Sequence, residues 1–189
     1  MTESNNGNTE INNTLPGALA EDKLVLVLSK MLGKNVARAH FQAEQLAGGT
    51  VGDVRLVTGS AETADGDILP YKVVLKVQRK WERGGDPGSW RREYDLYMSD
   101  LASLFTDSFR WAECYHAQMN EEGNETQLWM EYIDGVSGRE LTLEMLEKAS
   151  EELGRFQGKL YKQQTESLKD MSCFTPISWA GCAGSVLNI

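Results

Sequence analysis

The chain of 189 residues is 41% hydrophobic and 25% charged, ordinary values for a soluble globular protein able to bury a substantial core. A net charge of −9 argues against nucleic acid or an anionic membrane as the main partner, because both demand a basic surface. No apolar run approaches the roughly 18 residues of a membrane span and no signal pattern opens the chain, so a cytoplasmic location is the default expectation.

Residues 1–17 are polar and rich in asparagine, too poor in apolar side chains to order themselves. A helix is predicted over 18–32, with Leu24, Leu28, Met31 and Leu32 as its stripe and Gly33 as its stop. Two strands, 41–47 and 51–57, follow. Gly48, Gly49 and Thr50 join them in a turn whose backbone amides can approach phosphate oxygens, because nothing projects from the glycines. A polar loop over 60–67 leads past Pro70 into a third strand.

That strand, Tyr71–Arg79, alternates with period two: Val73, Leu75 and Val77 take one side, and Lys72, Val74, Lys76 and Gln78 the other. Lys76 is therefore a cation held in mid-strand. Past Gly84 and Gly85, Asp86 and Pro87 supply the cap and first position of a helix predicted to run to about Leu104. Trp90, Tyr94, Tyr97, Met98, Leu101 and Leu104 give it one apolar face. Glu93 lies at the edge of that face, where an unpaired carboxylate is costly, and Lys76 is the natural partner; Arg92 or Arg79 at the surface is the alternative.

Strands over 109–118 and 126–133 pair across the loop 120–125. The sum is an α+β fold, with about five antiparallel strands and a helix packed on them. The last helix has the clearest periodicity, with Leu143, Leu146, Ala149, Leu153, Phe156 and Leu160 at three-four spacing, Thr142 as cap, acids early and bases late. Its stripe is expected to pack on the sheet. Cys114, Cys173 and Cys182 match no zinc spacing and cannot all pair, so they are read as reduced thiols; His40 and His116 are read as packing or surface residues.

The order of glycine hairpin, strand lysine, helix glutamate and the apolar strand QLWMEYI ending in Asp134 and Gly135 resembles the amino-terminal lobe of the aminoglycoside phosphotransferase and choline kinase family, a protein-kinase-like fold, over roughly residues 40–160. The resemblance implies such a lobe over 18–135, a connector and first second-lobe helix over 136–168, and an atypical tail over 169–189. It implies a nucleotide partner, ATP, with Gly48, Gly49 and Thr50 over the phosphates, Lys76 binding them and Glu93 orienting Lys76. Met130 would sit behind the adenine, Glu131 would offer its carbonyl to the purine amine, and Ile133 its amide to a ring nitrogen. Thr50 and Asp53 stand where stricter kinase patterns have glycine, and Gln157 stands where the family commonly has histidine.

The family's His-Gly-Asp loop and its magnesium-binding aspartate motif have no counterpart here. His40 and His116 lack the following Gly-Asp, and Asp170 is the only aspartate among the 29 residues after Leu160. The expectation is a truncated small-molecule kinase with no catalytic or metal-binding residues of its own, inactive by itself, and with magnesium used only by a complete parent enzyme. A competing expectation is a non-catalytic α+β interaction module. In it Lys76 and Glu93 are a structural pair, and exposed apolar surface on the last helix drives homo-oligomerisation or recruits a protein.

Overall fold

Residues 21–46, 52–81, 88–105, 109–136 and 138–163 are described by a computed structural model. The polar tail, the 48–50 turn, the Asp86–Pro87 cap, Cys173, Cys182 and the 169–189 tail lie outside these residues. The elements in chain order are α1 (Glu21–Leu32), β1 (Val36–Gln45), β2 (Asp53–Thr63), β3 (Ile68–Arg79), α2 (Arg92–Tyr97), β4 (Cys114–Met119), β5 (Glu125–Glu131) and α3 (Leu143–Gln163). They fall into two units, one built from the chain up to Lys80 and from Trp111–Leu141, the other from Trp81–Arg110 and from Thr142 onward.

The first unit is a five-stranded antiparallel sheet in the order β1-β2-β3-β5-β4. Cross-strand partners in such a sheet share a face, so the register sorts its side chains without ambiguity. Val57, Val73, Leu75, Val77 and Trp129 occupy one face, and α1 closes it with Leu24, Val27 and Leu28. Each of those helix side chains is at most 1% exposed, and burial of that completeness is worth about 1.5–3 kcal/mol apiece. Ala39, Ala43 and Ala61 leave room for the helix. Gly33, at φ 62°, stops α1 as its sequence implies, and Ser29 Oγ accepts the Val36 amide at 3.1 Å to fix the turn into β1. At the far edge, Lys23 Nζ donates to Gln118 Oε1 at 2.6 Å, tying the helix to β4.

The second hairpin is longer than the sequence suggests. Strand β2 runs to Thr63 and β3 begins at Ile68, so Ser60 and Pro70 are ladder partners rather than loop residues. Proline is tolerated there because β5 pairs only with Val73–Arg79, leaving the other side of Pro70 without a strand. Gly59 is required at the same level: a Cβ on it would lie 1.9 Å from the His40 carbonyl oxygen. Its bare backbone lets the Tyr71 ring, directly opposite, reach across so that its hydroxyl donates to that oxygen at 3.0 Å.

The second unit departs from expectation in its first half. Residues 88–104 do not form one helix: a 3₁₀ turn at Ser89–Arg91, the six-residue α2 and a second 3₁₀ turn at Asp100–Leu104 replace it. Ser99 makes the break, with Oγ donating to the Leu96 carbonyl at 2.6 Å and accepting the Leu101 amide at 3.2 Å, a local alternative to helical bonding. Trp90 and Leu101 are buried as the stripe implied, but Met98 is 60% exposed. Arg91 and Asp95 pair one helical turn apart at 2.6 Å, and that hydrogen bond raises the arginine's pKa further.

Helix α3 starts as its sequence implies, with Thr142 Oγ1 accepting the Met145 amide at 3.2 Å. Only part of the predicted stripe is covered within the unit. Phe156 stacks on Phe105 at 5.0 Å between ring centroids and meets Phe109 at 5.3 Å. Beside it, Glu152 is buried, 2.9 Å from Lys148 Nζ and 3.2 Å from Arg155 Nη1, and its bond to Lys148 raises that lysine's pKa. Leu143, Leu146 and Leu153 are instead exposed.

Candidate functional site

Lys76 sits in the middle of β3, between its cross-strand partners Val54 on β2 and Leu128 on β5. It therefore projects from the face opposite α1. Gln78 and several apolar residues share that face: Leu56 and Val74 are a ladder pair, Met130 faces Val74 from β5, and Leu56, Val74 and Leu128 are all buried. Lys72, four residues before Lys76 on the same face, has its Nζ 5.3 Å from the centre of the Tyr132 ring, a cation–π distance. The sheet thus shows an α1-covered side and a side on which the half-buried Lys76 is flanked by aliphatic residues from three strands.

Among the residues singled out from sequence, the structure brings Lys76 and Met130 onto this one face of the first unit. Glu131 closes β5 as the partner of Val73, its amide donating to the Glu113 carbonyl at 2.8 Å and its carboxylate accepting the Glu113 amide at 3.0 Å. Ile133 lies beyond the end of the strand and is 57% exposed, so its main chain has left the ladder. Glu93 stands on α2 in the second unit, and the expected pair with Lys76 would join residues of different units. Gly48, Gly49 and Thr50 lie outside the described residues.

Two residues at the hairpin mouth clarify the departures from a strict glycine pattern. Gly52, overlooked in the sequence, has φ 105°, and a Cβ on it would lie 3.1 Å from the Val77 carbonyl oxygen, so glycine is demanded at the entry to β2. Its signal was available only as one glycine among several. Asp53, whose carboxylate would repel phosphates, is the partner of Val77 and so belongs to the α1 face, where Arg55 holds it at 3.0 Å. A cleft of about 420 Å³ lined by Gln45, Gly52, Asp53, Val77 and Arg79 opens there. Its side chains come from the face opposite Lys76, so it is a separate feature.

In the second unit a cleft of about 650 Å³ runs along α3, lined by Phe109, Thr142, Glu144, Met145, Lys148, Ala149 and Glu152. The buried carboxylate in it is already neutralised by Lys148 and Arg155. Among the described residues no cluster of three or more His, Cys, Asp or Glu side chains could hold a metal ion, and the Cys114 thiol donates to the His116 carbonyl at 3.4 Å. No helix of the described residues is long and apolar enough to cross a membrane. Comparison of the chain with protein families, with curated proteins and with solved structures finds no match.

Proposed function

We propose that the first unit is the nucleotide-binding lobe of a small-molecule phosphotransferase of the aminoglycoside phosphotransferase type. The observation that carries this reading is the position of Lys76: mid-strand on the third strand of the sheet, on the face that α1 leaves uncovered, among Val54, Leu56, Val74, Leu128 and Met130. Third-strand placement is the context a phosphate-binding lysine of this fold requires. An ammonium beside an aliphatic patch also suits the two halves of ATP, with phosphate oxygens on the cation and the flat purine on the apolar side chains.

In this reading Lys76 holds phosphate oxygens, Met130 lies behind the adenine, and the Glu131 carbonyl and Ile133 amide take the purine edge. The exit of the chain from β5 after Glu131 supports the Ile133 role, because main-chain groups past a strand end are no longer consumed by the ladder. Magnesium has no comparable fit among the described residues, and no step is assigned to it. The reading is one of nucleotide binding by this lobe, and no catalytic residue is assigned in it.

The reading as a non-catalytic interaction module is favoured by one observation, the exposure of Leu143, Leu146 and Leu153 on α3. Thermal-shift titration with ATP and with adenosine separates the two. The nucleotide-binding reading expects ATP to raise the unfolding midpoint and Lys76→Met to remove most of that rise. A wild-type midpoint that ignores ATP at millimolar concentration would leave the interaction module as the better account.

A further inference from the structure

We infer that β1 pairs antiparallel with β1 of a second copy of this chain, Phe41 meeting its counterpart on the two-fold axis, so that two five-stranded sheets join edge to edge. The sheet treats its two edges differently. Strand β4 is six residues long and bulged between Cys114 and His116. Helix α1 also guards it, with Lys23 Nζ on Gln118 Oε1 at 2.6 Å and Lys30 Nζ on the Cys114 carbonyl at 3.4 Å. Strand β1 is ten residues long, carries no proline or lysine, and has its one irregularity at the start, between Val36 and Arg38. Short length, a bulge and a covering helix are what keep a sheet edge from pairing, and β1 lacks all three from Arg38 onward.

The main chain sets which residues can pair. The Leu46 amide donates to the Val54 carbonyl at 2.9 Å, and alternation along the ladder turns the main-chain groups of Arg38, His40, Gln42 and Glu44 toward β2 as well. Those of Ala39, Phe41, Ala43 and Gln45 point to the edge, where no strand of the described residues takes them. With Phe41 opposite Phe41 and Ala39 opposite Ala43, the two copies exchange about six hydrogen bonds.

Charge then selects the register and the partner. Cross-strand neighbours share a face, so Arg38 of each copy lies against Glu44 of the other, at non-hydrogen-bonded positions where side chains come closest. Both residues are exposed, and among the described residues neither is held in an ion pair. Moving the axis to His40 or to Gln42 keeps the main-chain bonds but sets Arg38 against Gln42 or Leu46. One edge is thus complementary to itself under a two-fold rotation, as an isologous dimer requires. Two strands bury less than the roughly 1,200 Å² of a standard interface, so the dimer is weak and concentration-dependent.

Sedimentation equilibrium of the full chain, read together with amide hydrogen exchange, tests the pairing. The wild type should move from 21.1 kDa toward twice that mass over the micromolar to millimolar range, and added salt should weaken it. Glu44→Arg faces uncharged Leu56 within its own sheet but sets arginine against arginine twice across the axis, and should raise the Kd by about tenfold. The double variant R38E/E44R exchanges the charges and should recover most of the loss. Circular dichroism should be unchanged in both, which separates lost pairing from lost folding. The amides of Ala39, Phe41 and Ala43 should exchange freely in the monomer and slow as the dimer forms. A wild type that stays monomeric throughout, a Glu44→Arg chain that associates as tightly as the wild type, or a dimer whose three edge amides still exchange freely would overturn the proposal. A monomer in which those amides are already protected would put a segment of this same chain on the edge, and would overturn it equally.

Discussion

Helices α1 and α3 both carry apolar residues three and four apart, yet Leu24, Val27 and Leu28 are at most 1% exposed whereas Leu143, Leu146 and Leu153 range from 43% to 73%. The difference lies in what each meets. Helix α1 is joined to β1 by three residues and lies on a face studded with Ala39, Ala43 and Ala61, so its stripe is covered by the strands that follow it. Helix α3 offers a stripe of equal regularity, but there Phe156 packs on Phe105 and Phe109 while Leu143, Leu146 and Leu153 stay exposed. Periodicity states that a helix has an apolar face; it does not state which neighbour takes it.

Substitutions should expose that asymmetry, and the largest effect is expected at α1. Leu28→Ala removes a fully buried side chain and should cost about 2–5 kcal/mol by urea titration. Next comes Gly59→Ala, whose methyl group would collide with the His40 carbonyl in the adjoining strand and should cost about 1–3 kcal/mol.

Tyr71→Phe should lose about 1 kcal/mol with the hydrogen bond to the His40 oxygen. It should also change the alkaline limb. Burial raises the Tyr71 phenol above its ordinary value of 10.0, so below pH 10 both states hold the proton and stability is flat; above it the unfolded chain releases the proton first and stability falls. The phenylalanine variant should show a shallower fall, and identical slopes would mean that the phenol is not buried as described. The smallest effect belongs to α3: Leu146→Ala should stay within about 0.5 kcal/mol in dilute solution. A cost matching that of Leu28→Ala would erase the contrast between the helices.

Much of the sheet was legible because strand alternation is local. Val73, Leu75 and Val77 against Lys72, Val74, Lys76 and Gln78 is a period-two pattern, and the structure keeps every one of those residues on its expected side. Longer-range requirements were not legible. Nothing near Gly59 in the sequence announces that the His40 carbonyl will lie against it, and Pro70 reads as a strand boundary until the reach of β5 is known. The segment 87–104 reads as one helix because its aromatic and aliphatic residues recur correctly, while the interruption after α2 comes from the bonds of one serine, Ser99. Likewise Lys76 could be placed in mid-strand from sequence, but its apolar surroundings depend on the register of β2 and β5.

The nucleotide-binding reading comes down to the ammonium on the sheet face opposite α1, and ATP-dependent thermal stabilisation of wild type and Lys76→Met, which keeps the apolar stem, measures its role directly. The account predicts a clear rise for the wild type, most of it lost in the variant, with an adenosine response equal in both. An ATP-dependent rise of the same size in the two proteins would contradict it.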